Sequence, residues 1–100
     1  MAFVMVTARY PLHQAEKTGK AFVEGKVPET ADFVNRINLF VVADFDIKIY
    51  TLYEMPNDKL YEGLKSIATR YSGYRDIEGF TFKIETLMTA EESLPMIGLG

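Results

Sequence analysis

The chain contains no cysteine, no tryptophan and only one histidine. Without cysteine there is no disulfide, no thiolate nucleophile and no Cys-ligated metal. One histidine alone cannot build a typical structural zinc site. A single histidine suffices as an axial haem ligand, but nothing else in the chain supports a haem, and no cofactor is expected. Basic charge is also in short supply: 11 Lys and Arg stand against 14 Asp and Glu, giving a net charge of -3 and a pI near 5.1. That balance lacks the basic stripe that nucleic acid or an anionic membrane surface selects for. No apolar run approaches the ~20 residues of a membrane helix. The opening MAFVMVTARYPLHQ has no basic n-region, so it does not read as a signal peptide. A soluble cytoplasmic protein, with neither nucleic acid nor membrane as partner, is the expectation. The glycines are scattered, with no GxGxxG or GxxxxGK phosphate loop. Ser66, Thr69 and Ser72 have no His–Asp company for a triad.

What is present fits one ordinary domain, residues 1–100, with 89–100 as a C-terminal tail. Hydrophobic residues make up 48% and charged residues 25% of the chain, close to a globular average. The centre holds two apolar, β-branched and aromatic runs, Ile37 to Ala43 and Ile47 to Glu54. Only Asp44-Phe45-Asp46 separates them, which reads as an antiparallel hairpin. A further strand is expected on each side, at Ala2 to Tyr10 and Phe80 to Met88. Leu12, Ala15, Gly19, Phe22 and Val23 mark one face of a helix within Leu12 to Lys26. Leu60, Leu64, Ile67, Ala68 and Tyr71 mark a second, cleaner stripe, with Asn57 or Asp58 as its N-cap. Thr89-x-x-Glu92 is a capping-box pattern for a short turn in the tail. The element order is therefore β-α-β-β-α-β.

Strand alternation adds an assembly argument. Two helices cover one face of a four-stranded sheet, yet three strands carry apolar residues on both faces. Leaving Phe3, Met5, Leu39, Val41 and Ile49, or their opposite-face partners, in water would expose a large apolar patch. An exposed patch of that size marks a partner surface. A second copy of the chain over the open face, in a homodimer, is the expectation. The fourth strand alternates strictly, with Thr81, Lys83 and Glu85 on its polar side, as suits an edge.

The hairpin turn Ala43-Asp44-Phe45-Asp46-Ile47, the helix opened by Pro56-Asn57-Asp58, and the closing Lys83-Ile84-Glu85-Thr86-Leu87 with Thr89-Ala90-Glu91-Glu92 resemble the GYD-type domain. The likeness covers roughly residues 37 to 92. Alanine stands where the family has its first turn glycine, and the loop before the last strand is longer. The resemblance implies the dimeric α+β barrel superfamily: a ferredoxin-like protomer of a four-stranded antiparallel sheet with two helices on one face, paired sheet to sheet. That superfamily includes cofactor-independent monooxygenases, haem-degrading enzymes, isomerases and regulatory ligand-binding domains, so the fold does not choose the function.

Candidate site residues are few. His13 could serve as a base or ligand near neutral pH, or be a surface residue of a first helical turn. Asp44 and Asp46 could bind a hard cation or divide acid and base roles, or be a turn that accepts backbone hydrogen bonds. Asp46 holds the family-like position. If the first and third strands are neighbours, Arg9, Tyr10, His13 and Tyr50 could line an aromatic pocket for a small organic ligand. Otherwise the tyrosines fill the core. Lys65, Arg70 and Arg75 read as a solvated basic face. Three functions stand side by side: a small-ligand module, a cofactor-independent monooxygenase or isomerase with His13 as base, and an assembly protein without catalysis.

Overall fold

In the computed structural model, which describes residues 1–100, the strands are β1 (Ala2–Tyr10), β2 (Asn35–Ala43), β3 (Ile47–Met55) and β4 (Thr81–Leu87). Helix α1 (Ala15–Val23) lies between β1 and β2, α2 (Leu60–Ser72) between β3 and β4, and the short α3 (Ala90–Ser93) follows β4. All strand pairs are antiparallel, in the order β2-β3-β1-β4. The first and third strands are thus central and the fourth is an edge. The result is an α+β fold with a four-stranded antiparallel sheet and three helices, compatible with a ferredoxin-like fold.

The register explains the one-sided core. Val4, Val6 and Ala8 of β1 stand opposite Tyr53, Thr51 and Ile49 of β3. These residues point to the helices, and Val4, Val6, Thr51 and Met55 are fully buried there. Ile67 and Tyr71 of α2 close over them, with Val27, Val34, Tyr74 and Ile77 sealing the margins from the connections. The 31–34 turn is tied down by the Ala31 N–H, which donates to Ser66 Oγ at 2.7 Å.

Local details differ from the sequence pattern for identifiable reasons. The first helix begins as a single 3-10 turn at Leu12–Gln14 and ends at Val23, short of Lys26. Gly25 takes a left-handed φ of 66° and Lys26 N–H donates back to the Ala21 carbonyl at 3.0 Å, which terminates the helix. Neither Asn57 nor Asp58 caps α2: Pro56 starts a 3-10 turn, Asn57–Lys59, that feeds the helix directly. The Thr89–Glu92 capping box forms as expected. The buried residue of α1 is Thr18, while Leu12 and Val23 of the anticipated apolar face are exposed.

The chain is spread out for its size. It has a Cα radius of gyration of 15.1 Å and extents of 48 × 30 × 18 Å, against ~13 Å for a compact chain of this length. Its accessible surface is 6708 Å², where a folded monomer of this mass exposes ~5,800 Å².

Two helix glycines have opposite roles. A Cβ built on Gly63 would overlap the buried thioether of Met55, whereas one on Gly19 would meet nothing within 4 Å. Gly63→Ala is therefore expected to cost about 1–3 kcal/mol through overpacking. Gly19→Ala should stabilise by up to about 1 kcal/mol through helix propensity. Urea denaturation of the two variants checks both signs.

Candidate functional site

The space above Gly19 is a cavity of about 200 Å³ between α1, α2 and the sheet. Ala8 and Tyr10 of β1 and Ile49, Thr51 and Tyr53 of β3 form its sheet wall. Thr18, Gly19, Phe22 and Val23 of α1 form a second side, and Arg70 and Tyr71 of α2 a third. Tyr74, Phe80, Leu39 and Arg36 complete the lining. The deep end is buried at Thr51, Tyr53 and Tyr71, and the outer end is exposed at Phe22, Val23 and Arg36. One end is therefore a mouth.

Aromatic contacts run along the cavity lining. Tyr10 lies nearly parallel to Phe80, with ring centroids 6.1 Å apart. Phe80 stacks on Tyr74 at 4.7 Å, and Tyr71 packs on Tyr74 and Phe82. At the deep end Tyr53 Oη and Tyr71 Oη are 3.0 Å apart, and Tyr71 Oη donates to Thr51 Oγ1 at 3.3 Å. Each phenol has one proton, so with the Tyr71 proton directed at Thr51, Tyr53 is the donor to Tyr71. The buried hydroxyls are thereby satisfied within the chain.

Two arginines stand at the cavity's outer side. The guanidinium carbons of Arg36 and Arg70 lie 5.7 and 5.6 Å from the centre of the same Phe22 ring. Arg70 also donates to the Pro28 carbonyl at 3.0 Å. Neither joins a salt bridge, and no carboxylate lines the cavity. Arg36 reaches it because of a bulge. Arg36 pairs with Tyr53 and Asn38 with Leu52, a register shift that leaves Ile37 over. Arg36 and Leu39 then share the helix-side face, three residues apart. Strict alternation would have turned Arg36 to the opposite face with Asn38.

Of the candidate site residues Arg9, Tyr10, His13, Asp44, Asp46 and Tyr50, Tyr10 lines the cavity and the others lie elsewhere. Strands β1 and β3 are neighbours, but Tyr10 pairs with Ile47 and Tyr50 with Thr7, which puts the two tyrosines on opposite faces. Tyr50 is on the open face beside Lys48, whose ammonium is 5.3 Å from its ring. Arg9 and Asp46 do meet, in a 3.5 Å ion pair with side chains 50% and 29% exposed, a class of contact that contributes little. His13 is exposed and shares a shallow hollow with Pro11, Leu12, Phe45 and Asp46, with no ion pair between His13 and Asp46. Asp44 is exposed, and its N–H donates to the Asp46 carbonyl at 2.9 Å to close the turn.

Arg36 was not singled out in the sequence, and Arg70, expected on a solvated basic face with Lys65 and Arg75, is instead half-buried beside Phe22 and lines the cavity. The bulge is set by pairing with β3 and leaves no local mark. Arg70 did leave one: it follows Ile67 by three residues, on the side of α2 that faces the sheet.

Burial sets the electrostatics of the tyrosines. Desolvation pushes the Tyr53 phenol well above its ordinary value of 10.0, and the neighbouring Tyr71 adds to this, while Arg70 and Arg36 pull the other way. Burial also raises Tyr10 and Tyr74. A raised folded-state value means that stability is intact below the unfolded value and is lost as pH climbs above it. The urea midpoint should fall as pH rises between about 9 and 11, and Tyr53→Phe should flatten that fall. A midpoint with the same slope in both proteins would contradict the assignment.

No family model, curated protein or solved structure matches the chain, so the likeness to the GYD-type domain rests on the hairpin and closing-strand motifs alone.

Proposed function

We propose that this chain is a small-ligand-binding protein of the ferredoxin-like, dimeric α+β barrel type, and that its ligand occupies the cavity between α1, α2 and the sheet. The carrying observation is the cavity itself. It is lined mainly by apolar and aromatic groups with a few polar ones at its ends, the usual make-up of a small-molecule site. Its size suits a ligand of about one ring, since an apolar cavity of ~150 Å³ accommodates benzene. Gly19 supports the reading as well. It lines the exposed side of the cavity, and a side chain added there would meet no atom of the chain within 4 Å. His13, the candidate base, lies outside the cavity, so the reading is one of binding rather than turnover.

The assembly belongs to the same proposal. Phe40, Val42 and Leu87 are exposed on the sheet face that no helix covers, beside half-buried Phe3, Met5 and Leu52. A second copy over this face would cover it.

Two measurements test the proposal. A screen of one-ring organic compounds by thermal unfolding should give ligands that raise Tm by about 6–11 °C at tenfold their Kd. Gly19→Leu, which fills the cavity, should lose that response while remaining folded. Light scattering should report a dimer at micromolar concentration for the parent chain and a monomer for Met5→Lys/Leu52→Lys. A parent chain that is monomeric there would overturn the assembly.

A further inference from the structure

The two arginines give the ligand a charge. An acidic chain has gathered two guanidinium groups around one phenylalanine ring at the mouth of an apolar cavity, and has placed no carboxylate beside either. Arginines at a protein surface commonly find acidic partners, and this chain has 14 to offer. Arg70 is also held in place: one nitrogen is bonded to the Pro28 carbonyl while the planar group lies by Phe22. Its remaining donors are free for a second partner. Arg36 is delivered to the same spot by the Ile37 bulge, a device found beside ligand sites because it re-aims one side chain. Both guanidinium groups thus flank Phe22 at the cavity's outer side with no acidic partner in a salt bridge.

Resting on the ligand-binding reading above, we propose that the cavity takes a small carboxylate on an apolar body of about one ring's size. The apolar body lies inward, against the aromatic surface of Tyr10, Phe80, Tyr74 and Tyr71. The carboxylate stays at the mouth, where Arg36 and Arg70 donate to its oxygens. This orientation follows from the burial gradient. Thr51, Tyr53 and Tyr71 are all but closed to solvent, and a charge there would be desolvated without a counter-charge. At the mouth the carboxylate keeps part of its hydration and gains charge-assisted hydrogen bonds. A neutral ligand of the same shape would bury the same apolar surface and leave both guanidinium groups unused.

Benzoate and its neutral isostere benzamide separate charge from shape. Calorimetric titration of the full chain at neutral pH and low salt should show benzoate binding at least ~10-fold more tightly than benzamide, the scale of a hydrogen bond between charged groups. Raising the salt should weaken benzoate and leave benzamide almost unchanged. Arg36→Gln and Arg70→Gln should each bring benzoate toward the benzamide affinity. Arg36 makes no ion pair and sits on an edge strand, so Arg36→Gln decides the matter even if Arg70→Gln, which loses the Pro28 contact, fails to fold. Gly19→Leu should weaken both compounds. Equal affinities for benzoate and benzamide, both lost in Gly19→Leu, would overturn the anion assignment and leave the cavity as a ligand site. Absence of binding by either compound, or binding indifferent to Gly19→Leu, would overturn both.

Discussion

The close approach of α2 to β3 at Gly63, where a Cβ would overlap the Met55 thioether, is the constraint on which the packing of the helix layer depends. Met55 is fully buried at the end of β3, and a side chain at position 63 would collide with it. The absence of a Cβ lets the helix approach the sheet at this end, where Ile67 and Val4 complete a dry core. At the other end the packing is aromatic and lines the cavity. Tyr10, Phe80, Tyr74 and Tyr71 form a continuous row of rings, and rigid rings prop walls that flexible aliphatic chains would let collapse. The molecule is thus tightly packed at one end of its helix layer and propped open at the other. The cavity is a consequence of that difference.

The same difference locates the chemistry. A tightly packed end stabilises; an open end with polar groups at its rim can receive something. The hydroxyl chain of Tyr53, Tyr71 and Thr51 satisfies itself at the cavity's deep end, so that end asks nothing polar of a ligand. The unpaired guanidinium groups are at the opposite end, next to water. An apolar interior with cationic groups at its entrance is the polarity of an amphipathic acid turned inside out. The surface residues His13, Arg9, Asp46 and Tyr50 lie outside this gradient, on the hairpin end and the open face.

The open sheet face presents a second unresolved surface. Helices cover one side of the sheet only, and the other side mixes apolar residues of β1, β2 and β3 with the polar Thr81, Lys83 and Glu85 of β4. Each strand there offers Phe, Met, Leu, Val or Tyr to solvent or to a partner, interleaved with Lys48, Lys83 and Glu85.

Much of the architecture was legible in the sequence because it is written in local periods. Alternation of two marked the strands, the 3.6-residue stripe marked α2, and the short Asp44-Phe45-Asp46 spacer marked the hairpin. The polar side of β4 correctly placed it at an edge. The faces of individual residues in β2 and the limits of α1 were less legible. One extra residue, Ile37, reverses which way Arg36 points, and only its pairing with Tyr53 across the sheet records this. The expected pocket of Tyr10 and Tyr50 required two neighbouring strands, which the fold provides, and a shared parity, which the register does not. Sequence by itself determined the elements, their order and the one-sided helix layer, since these follow from side-chain spacing along a single chain. Only the tertiary structure decided where the cavity lies and that Arg36 and Arg70 both flank Phe22 in its lining, because register, bulges and helix-to-sheet distance arise from contacts between residues far apart in the chain.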